Sequence, residues 1–452
     1  MRIEAIPYPA DSADLFEAVA DAPWAVFLDS SDARPGMRRV DILSAWPWKT
    51  LVTRGDVTEI QVGDRLLGST EAPFDLLRRH LGPLTDPAPL PFAGGAIGYF
   101  AYDLARRIER LPEHALADPQ LPDMAVGLYD WAAVVDHDTR QAWLVAAGRD
   151  PGTDTHWPAL LARFQHPPRA RPAGPFVMSS LLRADLSRSD YARAFARIRH
   201  YIREGDCYQV NLAQGFAARV GGDPWSAYLH LRRLNPAPHG AYLRLPFAEV
   251  LSSSPERFLR VRDGRVVTRP IKGTRPRSAD PTRDAALAAE LAASAKDRAE
   301  NLMIVDLLRN DLGKVCAPGT VQVPELFRVE SFTNVHHLVS TVVGQLPAGG
   351  HALELLRAAF PGGSITGAPK LRAMQIIEEL EPVRRGVYCG AIGYIGYDGA
   401  MDTSIAIRTL LHREGEVRFS AGGGIVADSG EDAEYQECLD KAAPILRLLQ
   451  AQ

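Results

Sequence analysis

Two nine-residue runs near opposite ends of the chain are almost the same. GAIGYFAYD at 95–103 and GAIGYIGYD at 390–398 agree at seven of nine positions. Each mixes small and aromatic residues in the manner of a strand. Two explanations stand: a small-aromatic strand arose twice, or the two regions carry equivalent strands of a pseudo-duplicated fold. The second would tie both ends of a 452-residue chain into one complex unit. At roughly 100–200 residues per domain, length alone permits two or three ordinary domains or one large α/β unit.

Two Pro-rich stretches interrupt the pattern. Residues 82–91 (GPLTDPAPLP) read as a loop, and 150–175 as a longer connector with one short helical turn. The main boundary is placed there, giving an N-terminal segment of residues 1–150, a connector of 151–175 and a region of 176–452. Before it lie short β-like runs, WAVFLDS at 24–30 and AWLVAAG at 142–148. After it the elements lengthen. Tyr191, Phe195, Ile198 and Ile202 recur at helical spacing within 187–206, and Gly205 ends that helix. A strand follows at 208–220. RFLRVRDGRVVT (257–268) is a hairpin around Asp263-Gly264, a two-residue turn signal. One long Ala-rich helix is expected over 282–312, a strand over 335–346, and helices over 351–358 and 369–380. Strands over 388–397, 403–411 and 415–421 and a helix over 430–450 complete the chain.

Charge narrows the function. With 51 basic against 55 acidic residues the formal net charge is −4, without the basic surplus that phosphate backbones demand. An anionic substrate must then be held by a local cationic cluster. Cys207, Cys316, Cys389 and Cys438 form no CxxC pair, so neither a disulfide framework nor a zinc ribbon is indicated. The N-terminus lacks the apolar segment of a signal peptide, and no run of about 18 apolar residues occurs. A cytoplasmic protein with no membrane and no nucleic-acid partner is the expectation.

Several residues are candidates for chemistry. Asp297 and Glu300 are three apart on one predicted helix, as are Glu434 and Glu437 on another, so each pair shares a helix face. Each pair alone reads first as a solvated, salt-bridged face. Asp297 and Glu300, however, run into the apolar NLMIVDLL, and carboxylates at the edge of a core require a cation. Oxygen ligands of this kind suit Mg²⁺. Lys272, in PIKGT, stands at a strand end, either as a surface charge or, if desolvated, as a nucleophile. Glu256, in SSSPERF, opens the same hairpin, so a proton donor and a nucleophile can share one end of a sheet. GGSITGAPK (362–370) and AGGG (421–424) offer backbone N–H groups to an anion, with Arg408 and Lys441 as nearby cations. His336 and His337 face opposite sides of a strand. The chain lacks HExxH, Gly-x-Ser-x-Gly and GxGxxG patterns.

Taken together these runs resemble the chorismate-utilising enzymes. The resemblance covers residues 176–452 through GDCYQVNLAQ, SSSPERF, RPIKGTRPR, AKDRAENLMIVDLLRNDLG, VHHLVST, FPGGSITGAPKLRAM, YCGAIGY, MDTSIAIRTL and SAGGGIVADS followed by EYQE. It is looser before residue 150, through PWAVFLDS and GGAIGYFAYD. It implies an α+β fold: a large antiparallel β-sandwich flanked by outer helices, which agrees with the repeated strand. It implies Glu300 and Glu437 as Mg²⁺ ligands, supported through water by Asp297 and Glu434. Gly273, Thr274, His337, Tyr388, Arg408, Gly422, Gly423, Gly424 and Lys441 match substrate-binding positions, and Glu256 matches a general acid at the C4 hydroxyl of chorismate.

Two positions sort the members. Water-adding isochorismate and salicylate synthases carry a lysine where this chain has Gln209. Anthranilate synthases usually read PIAGT where this chain reads PIKGT. In the members that aminate C4, that lysine attacks C2 covalently before ammonia displaces it at C4. The resemblance thus implies 4-amino-4-deoxychorismate as product, on the route to 4-aminobenzoate and folate. No Gly-x-Cys-x-Gly nucleophile turn is present, so ammonia is expected from solution or from a separate glutamine amidotransferase subunit forming a heterodimer. Several relatives also hold tryptophan between an N-terminal strand and an Asn-Pro-x-Pro segment. Ser30, Arg39 and Pro238 match that pattern, whereas Met37, Val40 and His239 replace more aromatic or polar residues. Plain core packing is the other reading there. The competing functions are anthranilate formation and a non-catalytic tryptophan-binding homologue.

Overall fold

The computed structural model describes residues 1–31, 39–168, 171, 174–332 and 335–450. Runs such as MAVGLY (124–129) and WAAVVD (131–136) are apolar almost throughout, and every residue in both strands is buried. A strand with no polar face must be covered on both sides. Two large sheets provide that cover, one of 13 and one of 12 strands, with antiparallel ladders between neighbours. Val26, Val134, Leu243 and Val250 of the first sheet meet Ile97, Tyr99, Ala125 and Ile392 of the second in one core between the layers. Helices cover the outer faces. Trp157, Trp225 and Cys438 pack on the first sheet, and Leu76, Ile304, Leu308 and Leu355 on the second. The fold is α+β, with helices outside two antiparallel sheets.

Both sheets draw strands from both ends of the chain. In the first, Ala25–Asp29 pairs with His239–Leu245. In the second, the two GAIGY runs lie side by side: Gly95–Phe100 pairs antiparallel with Ala391–Gly396, and Gly98 faces Gly393. A side chain at either glycine would strike a neighbouring backbone. A Cβ on Gly98 would lie 2.0 Å from the Ala125 carbonyl, and one on Gly393 2.1 Å from that of Asp402. The echo therefore marks two equivalent crowded positions in one sheet.

Three expectations are corrected. The connector contains a 15-residue helix, Pro151–Gln165, rather than a single turn; Asp150 caps it and Pro151 occupies its first position. The long helix over 282–312 is two helices, Pro281–Ala293 and Ala295–Gly313, broken at Ser294, whose hydroxyl caps the second by accepting from Asp297 N–H. The strand over 403–411 is also two. Met401–Ile405 belongs to the second sheet and Thr409–Arg413 to the first, and the chain crosses between them at Arg408, whose φ is +50°. The strand Gln322–Ser331 was not anticipated; it pairs with Val335–Gln345. The Asp263-Gly264 turn is as expected, with φ +52° and +72° as its two-residue geometry requires. Among the described residues no helix is long and apolar enough to cross a membrane.

Candidate active site

The second sheet ends in Ile271–Pro276, paired with Val335–Gln345 and covered by the helix Ala295–Gly313. Gly273 bulges that strand, with φ +75°, and a Cβ there would lie 2.9 Å from Asp297 Cβ. Only glycine lets the strand approach the first turn of the helix so closely. Lys272 precedes Gly273 on the same strand and is half-buried. Its Nζ donates to the Ser364 carbonyl at 3.3 Å. Burial pulls its amine pKa down, against the carboxylates of Glu300, Glu256 and Glu437.

Glu256 follows the strand Ala248–Ser254, and its N–H donates to Ser254 Oγ at 3.2 Å. It is 7% exposed. Burial pushes its carboxyl above the usual range, opposed by Ser364, Lys272 and Lys441. A carboxyl whose pKa is pushed up lies within electrostatic reach of an amine whose pKa is pulled down.

The two acidic pairs converge from different helices. Burial raises Glu300, reinforced by Glu434 and Asp297 and opposed by Lys272 and Lys296. Burial raises Glu434 too, although it accepts from Ser429 Oγ at 2.6 Å. Burial also acts upward on Glu437, but Lys441 at 2.7 Å brings it below its ordinary value. Asp297 is held by Arg275 at 3.3 Å. The single ammonium of Lys296 lies 3.9 Å from Glu300 and 3.8 Å from Glu434. Among the described residues no three side chains stand close enough to hold a metal by themselves. The donors are nonetheless hard carboxylate oxygens, the ligand type that suits Mg²⁺.

The glycine run 422–424 does two jobs. A Cβ on Gly422 would meet the Leu212 carbonyl at 2.3 Å, so that position serves the ladder with Gln209–Gly222. A Cβ on Gly423 would lie 3.1 Å from Glu434 Oε2 and 3.5 Å from Glu437 Oε1, so that position faces the acids. Gly424 is crowded by Gln209 Nε2. Lys441 donates to the Gly422 carbonyl at 2.9 Å. Thr274 Oγ1 and His337 Nδ1 are 2.9 Å apart, while His336 points the other way to Ser331 and Asp284. Tyr388 is buried beside the Arg385 guanidinium. Arg408 donates to Asn235 Oδ1 at 3.1 Å instead of to any acid of the cluster. Lys370, at the end of GGSITGAPK, turns away to Asp311 and the Ala359 carbonyl, both at 2.6 Å.

Sequence reasoning passed over Ser364, Asn211, Arg275 and Lys296. Lys296 had a signal, four residues before Glu300 on the same helix. Ser364 was hidden in a run read only for its glycines.

Ser30, Arg39 and Pro238 line one cavity together with Val40, His239 and Tyr394. The Ser30 hydroxyl donates to Asp41 Oδ1 at 2.6 Å, and Arg39 Nε donates to the Ser30 carbonyl at 3.3 Å. Met37 lies outside the described residues.

Residues 47–447 match the model of the chorismate binding enzymes, and the chain belongs to that family. It is 52% identical over 451 residues to aminodeoxychorismate synthase component 1 of Klebsiella aerogenes, covering 99% of this chain and 98% of that one. The Escherichia coli K12 protein of the same name is 50% identical, covering 96% and 95%. Among solved structures, anthranilate synthase component I from Streptococcus pneumoniae TIGR4 superposes with a TM-score of 0.78 at 32% identity, covering 91% and 92%.

Proposed function

We propose that this chain aminates chorismate at C4 to give 4-amino-4-deoxychorismate, precursor of 4-aminobenzoate. The observation that carries the reading is Lys272, a half-buried amine flanked by Glu256 and Glu300, its pKa drawn down by burial. The neutral amine attacks C2 of the ring. The ring double bonds shift, the C4–O bond breaks, and the Glu256 proton leaves with the hydroxyl as water. Ammonia then bonds to C4, the double bonds shift back, and the lysine departs from C2. The names of the similar proteins favour this product over anthranilate, as does a lysine where anthranilate synthases carry alanine.

Glu300 and Glu437 would hold Mg²⁺ directly, and Asp297 and Glu434 through water. When bound, the ion would neutralise the carboxylate-rich wall facing an anionic substrate. Thr274, His337, Tyr388, Arg408, Lys441 and the glycines at 273 and 422–424 would line the substrate. The phrase "component 1" in the relatives' names is consistent with a separate glutaminase subunit as ammonia donor. The cavity at Ser30, Arg39 and Pro238 would be a second site, for tryptophan.

The purified chain, given chorismate, Mg²⁺ and ammonium, should yield a product with the mass of aminodeoxychorismate, and it should not hydrolyse glutamine alone. Anthranilate as the product would move the reading to that branch, and no consumption of chorismate would favour a non-catalytic homologue. Lys272→Ala should slow C4 amination by roughly 10³-fold, the scale of losing a covalent catalyst. Quenching the wild type during turnover without ammonia should leave a mass adduct on the peptide bearing Lys272. Unchanged turnover in Lys272→Ala with no adduct would reduce that lysine to an electrostatic anchor.

A further inference from the structure

Arg408 is a half-buried cation with no carboxylate of its own. It sits where the chain crosses between the sheets, at φ +50°, a left-handed conformation that few non-glycine residues adopt. Its Nη1 donates to the amide oxygen Oδ1 of Asn235 at 3.1 Å. Among the described residues its guanidinium makes no other hydrogen bond and no ion pair. Burial pulls its pKa below the ordinary value, and no neighbouring carboxylate opposes that. Other arginines withdrawn from water here are paired: Arg232 with Asp29 at 2.9 Å, Arg257 with Asp402 at 2.9 Å, and Arg385 with Glu381 at 2.6 Å. A cation taken out of water normally requires such a partner. Arg408 is held by a neutral amide instead.

The amide is itself fixed. Asn235 caps the C-terminus of the helix Pro224–Leu234, its N–H donating to the Leu231 carbonyl at 2.8 Å. Its Nδ2 donates to Ser253 Oγ at 2.9 Å and to the Ser253 carbonyl at 3.3 Å. A carbonyl only accepts, so the nitrogen end of the amide must face Ser253 and the oxygen end Arg408. Ser253 is 2% exposed, in the strand Ala248–Ser254. Its N–H and hydroxyl return to the Arg408 carbonyl at 3.1 and 3.4 Å. The three residues close a ring: the Arg408 side chain to Asn235, Asn235 to Ser253, and Ser253 to the Arg408 backbone. The same strand leads into Glu256, whose carbonyl accepts from Ile405 N–H at 3.0 Å. The clamp is therefore carried by the two chain segments that also place the proton donor.

We propose that Asn235 and Ser253 are positioning residues that hold Arg408 aimed and uncompensated, as the receptor for a substrate carboxylate that takes no part in bond making. The inference rests on the place given to Arg408 along the substrate above. A carboxylate at Asn235 would hold the guanidinium as firmly but would cancel its charge before the substrate arrived. An amide oxygen fixes its direction and leaves the charge in place. The N–H groups of the guanidinium that no described residue uses remain for a forked contact to the anion. A carboxylate that does not react is bound alike in the substrate complex and the transition state, so the clamp belongs to KM and not to kcat.

The test measures kcat and KM for chorismate in the full chain, with Mg²⁺ and saturating ammonium. Asn235→Asp keeps the shape and pairs with Arg408. KM should rise about 10- to 100-fold, the scale of one hydrogen bond between charged groups, with kcat within about threefold of wild type. Asn235→Ala only frees the guanidinium, and KM should rise about 3- to 10-fold. A merely structural asparagine would give the opposite order, alanine worse than the isosteric aspartate, and that order overturns the proposal. Adding Asn235→Ala to an Arg408→Gln chain should change KM by less than about twofold, because Asn235 acts through Arg408. Two effects that simply multiply overturn the proposal, and if Asn235→Asp fails to fold this cycle decides alone. A wild-type chain that forms no C4-aminated product overturns the proposed function and the clamp with it. A wild-type chain that forms it, beside an Asn235→Asp chain of wild-type KM, overturns the clamp alone.

Discussion

Two buried acids in this molecule sit in opposite electrostatic states. Asp41, beneath the cavity of the first sheet, accepts from Ser30 N–H at 2.8 Å and Ser30 Oγ at 2.6 Å, and it pairs with His137 at 2.8 Å. Burial works to raise its carboxyl, but these partners bring it below the ordinary value. Glu256, in the cleft, is buried to a similar degree, and burial wins. On the neighbouring cavity wall Asp29 is clamped by Arg232 at 2.9 Å and Asp402 by Arg257 at 2.9 Å, yet burial still raises the Asp29 carboxyl to about 6. Around Glu256 the outcome is mixed: burial also raises Glu300 and Glu434, whereas Lys441 brings Glu437 below its ordinary value. Asp41 is thus satisfied by its own neighbours in the first sheet. Glu256 has no such set of donors, and its burial is opposed only by Ser364, Lys272 and Lys441.

That contrast is tested most severely at the two carboxylates proposed to hold the metal. Glu300→Gln and Glu437→Gln each remove a hard oxygen donor. Activity should fall by about 10³-fold, since metal charge stabilisation is worth several kcal/mol. The fold should be kept, because glutamine relieves like-charge crowding. Steady-state turnover beside a melting curve checks both, and full turnover by both variants would remove the metal assignment. Asp41→Asn should do the reverse. Losing a charged acceptor with three partners should destabilise by roughly 2–3 kcal/mol, while turnover of the surviving folded chain with ammonium stays near wild type. Urea titration reads the first and an initial-rate assay the second; a large kcat loss would join the two regions energetically.

The cleft was more legible in the sequence than the fold around it. Glu256, Lys272, the acidic pairs and Lys441 each lie in a short run that resembles a family motif, although residue type alone left surface-charge and solvated-face readings open; i, i+3 spacing survives any tertiary arrangement. The hairpin and its left-handed turn were readable for the same local reason. Breaks between elements were harder. Ser294 and Asp297 carried a capping signal, yet the alanines on either side favour helix so strongly that the break was masked. Arg408 gives no hint that the chain changes sheets there, because a left-handed arginine is imposed by the crossing itself. Pro158 inside Pro151–Gln165 disguised a helix as a connector. Ser364 matters only through what folding brings to it, and no spacing rule reaches that.

A smaller effect separates the two functions of the glycine run. Gly423→Ala adds a methyl 3.1 Å from Glu434 Oε2, and the carboxylate must give by a few tenths of an ångström. Misplacing one supporting carboxylate should cost about tenfold in turnover, the low end for outer-shell changes at a metal site. The apparent affinity for Mg²⁺ should weaken, with the melting temperature unchanged. Gly422→Ala aims its methyl at a backbone carbonyl 2.3 Å away and should lose stability instead. Equal behaviour of the two variants would mean that the run serves only the ladder.

The smallest effect is the sharpest on the opening contrast, because its sign must reverse between the two acids. The folded-state pKa of Glu256 is raised, so the folded chain holds that proton more tightly than the unfolded chain does. By linkage, stability then falls as pH rises through the unfolded value of about 4.3 and levels off above the folded value. Glu256→Gln removes the ionisation. Its melting temperature should therefore exceed that of wild type at pH 8, and the difference should close as pH falls toward 4. Asp41 has a lowered folded-state pKa, so its stabilisation is present above the unfolded value of about 3.9 and is lost as pH falls through the folded one. Asp41→Asn should lie below wild type at pH 8, with that gap also closing in acid. Melting curves for the three chains across this pH range give the two signs directly. A Glu256→Gln chain less stable than wild type at pH 8 would mean that the carboxylate is held by favourable partners, and the general-acid role would lose its electrostatic basis.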